Sequence, residues 1–201
     1  MCELKKATHV IEISESNDEK HRYFYKKTWG DGKKPLAMII MYNPTVKTNE
    51  GVLDTSIMYF NNYIYRKNRF DGFIVVNLFS KRSNKSNELK PEKGESNKKI
   101  EFAKTDKTDE WIEKAIKQSD KKSIHIAWGT NYNRLNRVRE IIALLLKHQI
   151  DTVQRLEKKC IKVDNKEVYK RVHPAYYGDN LSFEEIDTEN IEELDVEELQ
   201  N

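Results

Sequence analysis

The sequence predicts an α/β protein, a three-layer sandwich built on a central, mainly parallel sheet. Three observations carry that prediction. LAMIIMY at 36–42, FIVVNLF at 73–79 and SIHIAWG at 123–129 are continuous apolar runs of the kind that strands buried on both faces require. Segments of helical spacing alternate with them, with Ile57, Phe60 and Ile64 after the first run and Leu135, Val138, Ile141, Ile142, Leu145 and Leu146 after the third. A chain of 201 residues suits one domain with a real core and is short for two.

The elements follow in order. HVIEIS at 9–14 and YFYKKTW at 23–29 read as the strands of an opening hairpin, with SESNDEK between them. DGKKP at 31–35 is a turn leading into the first buried strand. Asp54 fits the N-cap of a helix reaching about Asn68. After FIVVNLF, residues 80–99 are polar and basic and read as a long surface loop. A helix over about 109–118 precedes the third buried strand, and an amphipathic helix over 134–148 follows it. TVQRLE and EVYKR are shorter strand-like pieces ahead of His173-Pro174. The expected division is one domain over 1–178 and an acidic tail over 179–201, either docked as a helix or loose. No internal repeat is visible.

Charge is distributed unevenly. The net value is +3, yet Asp179 to Asn201 hold ten acidic residues and no Lys or Arg. Residues 1–178 therefore carry 36 basic against 23 acidic side chains, a net +13. Such a body suits a polyanion such as DNA, although a lysine-rich solvated surface has the same composition. The acidic tail could dock on this basic face or on a basic partner. No apolar run has the length of a membrane span, and MCELKKATHV lacks the apolar stretch of a signal peptide. Cys2 and Cys160 match no metal spacing, so a reduced cytoplasmic setting is expected. The five histidines are scattered, and neither a P-loop, a dinucleotide fingerprint nor G-x-S-x-G occurs. Neither a metal nor a cofactor is expected.

In parallel sheets ligands bind beyond the carboxyl ends of the strands. Asn43 ends the first buried strand, Asn77 lies near the end of the second, and Trp128-Gly129 ends the third. Taken singly, Asn43-Pro44 is a turn signal and Asp54 a helix cap. Trp128 reads as packing, and Gly129 permits close backbone approach. Asn77 is different, because an amide inside FIVVNLF must bond either backbone or ligand. His173, in HPAYYG, has no burial to explain it.

Taken together, R-Y-F-Y…W-G, Y-N-P-T, D-T-S, G-F-I-V-V-N-L-F, A-W-G-T and H-P resemble the recurring marks of an uncharacterised bacterial and phage domain family, between about Arg22 and Gly178. More distantly, the same order is similar to the uracil-DNA glycosylase superfamily. That resemblance implies a glycosylase-like fold, and hydrolysis of the N-glycosidic bond of a modified or damaged base in repair or phage defence. It implies that Asn43 holds the hydrolytic water or orients the sugar, that Asn77 reads a flipped base, and that Phe79 or Tyr42 stacks on it. His173 would stabilise the departing base, with Asp54 assisting. Pro44, Thr45, Trp128 and Gly129 would form the pocket wall. Lys81, Arg82 and Lys85 would track phosphates, with Tyr176 and Tyr177 at a DNA wedge. The departures are Thr45, where glycosylases usually carry glycine or an aromatic, and Ala-Tyr-Tyr after the H-P. A non-catalytic nucleotide- or nucleobase-binding module is the alternative reading.

Overall fold

The computed structural model describes residues 9–45, 54–83, 105–129, 135–163, 166–170 and 174–193. Val10–Glu15 (β1) and Arg22–Thr28 (β2) form the opening antiparallel hairpin. Leu36–Met41 (β3), helix Thr55–Lys67 (α1) and Gly72–Asn77 (β4) come next. Helix Asp106–Gln118 (α2), strand Ile124–Ala127 (β5), helix Leu135–Lys147 (α3) and strand Thr152–Leu156 (β6) continue the alternation. Lys159–Val163 (β7) and Lys166–Lys170 (β8) pair as a separate antiparallel ribbon, and Phe183–Asp187 (β9) is the last strand described.

Seven of these strands form one sheet in the order β1-β2-β4-β3-β5-β6-β9. The centre, β4-β3-β5-β6, is parallel. β2 joins β4 antiparallel at one side, and β9 joins β6 antiparallel at the other. The sheet is therefore mixed, and the expectation of a mainly parallel one holds only for its centre. The antiparallel partners at the flanks are distant in sequence: β3 and α1 separate β2 from β4, and the β7–β8 ribbon separates β6 from β9.

α1 covers one face, where Ile57, Phe60 and Ile64 meet Tyr25, Ile39, Phe73 and Val75. α2 and α3 cover the other, where Ile112, Ile116, Val138 and Ile141 meet Phe24, Met38, Ile40 and Val76. Asp54 does cap α1, its carboxylate accepting the Ser56 N–H at 2.7 Å. α2 starts three residues before the expected Asp109, because the Thr108 hydroxyl takes the Thr105 N–H at 3.0 Å.

The boundary at 178 does not coincide with an edge of the fold. Strand β9 closes the sheet, Ile191 is fully buried, and Glu192 pairs with Arg139 of α3. In FEEID, Phe183 packs on the α1 side and Ile186 on the α2–α3 side, while the three carboxylates stay exposed, a strand that acidic composition conceals. Among the described residues, no helix is long and apolar enough to cross a membrane.

Candidate functional site

Because β3, β4 and β5 are parallel, Asn43, Asn77 and Trp128 do leave the sheet at one edge. The exits of β3 and β4 stay zipped past the sheet. Leu78 N–H donates to Met41 O (2.8 Å), Phe79 N–H to Tyr42 O (3.0 Å) and Ser83 N–H to Pro44 O (3.0 Å). Asn43 closes this zipper, its Nδ2 donating to Ser83 O (2.8 Å) and Pro44 O (3.0 Å). Both donors of its amide thus serve the backbone, and only Oδ1 is left to accept from a water or a ligand.

Asn77 lies opposite Met41 and shares a face of β4 with Phe73 and Val75, the α1 side. It is 2% exposed, and among the described residues neither its Oδ1 nor its Nδ2 has a hydrogen-bond partner. Of the two partners the sequence allows, backbone or ligand, the described backbone supplies none. An unmade buried hydrogen bond costs about 1–3 kcal/mol, so an amide with two is a conspicuous expense inside a sheet.

A second group at this edge escaped the sequence reading. Where β1 faces β2, Ser14 pairs with Phe24 but Glu15 pairs with Arg22, so Tyr23 is an extra residue. The bulge turns Arg22 onto the α1 face, its guanidinium 5.9 Å from the centre of the Tyr25 ring. Arg22 is 2% exposed, and among the described residues neither its Nε nor its Nη1 has a partner, nor does the buried Tyr25 hydroxyl. Burial, and then the positive charge of Arg82, lower the Arg22 pKa to about 10, against the opposite pull of Asp54, Tyr25 and Glu15. Asp54 and the start of α1 therefore adjoin the same charge. The signal available in sequence was a charged residue in R-Y-F-Y, a run with no solvent-facing alternation.

The remaining expected residues divide. Tyr42 and Phe79 pack on each other edge-to-face, 5.3 Å between centroids, and belong with the α2–α3 side, away from the face of Asn77. Trp128 packs in that same core, and Gly129 takes a positive φ of 70°. Pro44 and Thr45 flank the zipper. Lys81 bridges back to His21, and Arg82 is ion-paired with Glu15, which holds both against the opening hairpin. Tyr177 is not placed as a wedge: it is 5% exposed, packs in the α1-side core, and donates its hydroxyl to Glu157 O. Tyr176 ends the 3-10 turn beginning at Pro174, a turn that packs against α1. His173 and Lys85 lie outside the described residues, as does most of the 80–99 loop.

Two other polar features are accounted for. His21 Nδ1, Ser80 Oγ and Thr108 Oγ1 form a chain of 2.8 Å contacts that fastens the β4 exit to α2. At the opposite end of the sheet a groove of about 810 Å³ is lined by Lys27, Trp29, Asn61, Tyr65 and Asp71. Its Trp29 Nε1 donates to Phe70 O, and Asp71 accepts from Lys34 N–H, so its best-placed polar groups hold the turn together. Among the described residues, no group of three His, Cys, Asp or Glu could hold a metal ion.

Arg22, Tyr25 and Asn77, whose buried polar atoms have no partner among the described residues, lie with Asp54 on the α1 side of this α/β domain and form its candidate site. The chain belongs to a family described as Protein of unknown function (DUF1643), whose model matches residues 22–175. That span begins at Arg22 and takes in every group of the site. No curated protein and no solved structure matches the chain.

Proposed function

We propose that this protein is a DNA glycosylase-like hydrolase, acting on the N-glycosidic bond of a modified or damaged base in repair or phage defence. The observation that carries the proposal is Asn77, a buried amide offering one unpaired donor face and one unpaired acceptor at the binding edge. A nucleobase edge presents the complementary pair, and reaching it requires a flipped or single-stranded base. The α/β/α layering is compatible with a uracil-DNA-glycosylase-like fold, and the basic body with a DNA substrate.

In this scheme a water oxygen attacks C1′ while the C1′–N bond breaks, and its electron pair leaves with the base. Asn43 Oδ1 accepts a hydrogen bond from that water, and the Asp54 carboxylate stabilises the cationic sugar. His173 offsets the negative charge on the base, which takes up a proton as it departs. Incubating the full chain with DNA carrying varied modified bases, followed by assay for free base and abasic sites, tests the scheme. Release of one base class, abolished by Asn77→Ala, supports it. No product from any substrate, together with no DNA binding, overturns it.

A nucleotide- or nucleobase-binding module is the second reading. The observation favouring it is that Asp54 already serves α1 as its cap. It requires tight binding of free nucleotide, with weak and salt-insensitive binding of DNA; phosphate contacts would make the salt slope steep.

A further inference from the structure

We propose that Arg22 is an anion receptor, taking a phosphate of the nucleotide whose base meets Asn77. The proposal rests on the nucleotide reading of the site and adds to it the group that anchors the substrate.

The position of the guanidinium is hard to explain otherwise. A buried, unpaired charge is strongly destabilising, and a fold that needed only bulk here would carry an apolar residue. Two carboxylates are within electrostatic reach, and both are engaged elsewhere. Glu15 lies directly across the strand pair from Arg22 yet forms its ion pair with Arg82. Asp54 directs Oδ1 to the Ser56 N–H. Nε and Nη1 have no partner among the described residues, so each has an N–H to give to an anion's oxygen.

The surroundings are those of an anion seat. Arg82 adds a second positive charge that acts on Arg22. The thirteen-residue helix α1 carries the Asp54 carboxylate at its N-cap and no further acidic residue in its first turn. The unpartnered Tyr25 hydroxyl supplies a further donor on the same face. A phosphate fits better than a carboxylate, because three or four oxygens can use the guanidinium and the Tyr25 hydroxyl at once. The burial of Arg22 excludes the backbone of an intact duplex and selects a single nucleotide, either free or extruded from a strand.

The test compares binding of the four deoxynucleosides, their 5′-monophosphates, short single-stranded oligonucleotides and inorganic pyrophosphate to the full chain. For wild type, a phosphate-bearing probe is expected to bind at least about tenfold more tightly than its phosphate-free counterpart, the size of one charge-assisted contact. Arg22→Gln should reduce that ratio to about twofold or less, and Arg22→Met should do the same while unfolding at an equal or higher temperature. The Met variant guards against loss of fold, since it removes the unpaired charge. An Arg22-dependent gain with monophosphates identifies a free nucleotide; one confined to oligonucleotides identifies an extruded one; both support the proposal. A ratio that Arg22→Gln leaves unchanged, or no phosphate preference in wild type, overturns it. Asn77→Ala separates this from the base reading: it should level the preference among bases and keep the phosphate gain. Arg22-dependent binding of pyrophosphate with no nucleotide binding would retain the receptor and remove the base.

Discussion

Replacing Asn77 by leucine isolates the cost of the site. The two side chains have nearly the same shape, so the change removes polarity from a fully enclosed position without opening a cavity. The wild-type amide holds two buried atoms without partners, on β4 between β2 and β3. At about 1–3 kcal/mol for each unmade bond, and with some relaxation of the neighbours, Asn77→Leu should stabilise the protein by about 2 kcal/mol. In a domain of this size each kcal/mol moves the melting temperature by about 2–4 °C, giving a rise of about 4–8 °C. Urea unfolding gives the free energy directly, and an unchanged m-value would show that the unfolded reference has not moved. Ligand binding should be lost in the same variant. A leucine variant destabilised by about 1 kcal/mol or more would refute the reasoning, because it would mean that the amide makes bonds that hold β4 in place. Stability gained with function lost is the pattern of a residue kept for its ligand.

Other variants probe the neighbours. Asn43→Ala removes the bonds to Ser83 O and Pro44 O and should lower the unfolding free energy by about 1–2 kcal/mol in urea titration, whatever its effect on activity. Asp54→Ala should cost about 1 kcal/mol through the lost cap, whereas Asp54→Asn keeps the cap; activity that survives in the Asn variant assigns Asp54 to structure alone. His125 is enclosed by Phe60, Tyr63 and Phe183, its Nδ1 within 3.1 Å of the Met38 and Ser123 carbonyls, and burial pulls its pKa down to about 4. Below the ordinary value of 6.5 the unfolded chain takes up a proton that the folded one refuses. Stability should therefore fall by about 3 kcal/mol from this residue as pH drops from 6.5 to 4, measured by denaturation across that range. His125→Gln should flatten that slope, and an unaltered slope would assign the effect to other groups.

Much of the architecture is legible because it follows from local chemistry. The three apolar runs had to be strands covered on both faces, and the spacing of Ile57, Phe60 and Ile64 had to face a sheet. Asp54 marks a helix start through a bond it makes two residues on. The reading fails where composition and partner choice disagree. Three of the five residues of β9 are carboxylates, so composition places it in the tail, whereas its position depends on β6, about thirty residues earlier. Strand direction at the flanks is a property of pairs, which no single segment encodes.

The site divides in the same way. Sequence by itself determined that Asn43, Asn77 and Trp128 end three buried strands, and therefore that they reach one edge. It could not determine what each side chain meets there. Asn43 became a backbone clamp because Pro44 and Ser83 carbonyls lie within reach across the β3–β4 exits. Tyr42, Phe79 and Trp128 turned into the α2–α3 core. Arg22 entered the site because one extra residue in β2 reversed the face its side chain takes. Apolar burial is written in composition and period, which sequence displays, whereas the satisfaction of a buried polar group depends on atoms brought together only by the folded chain.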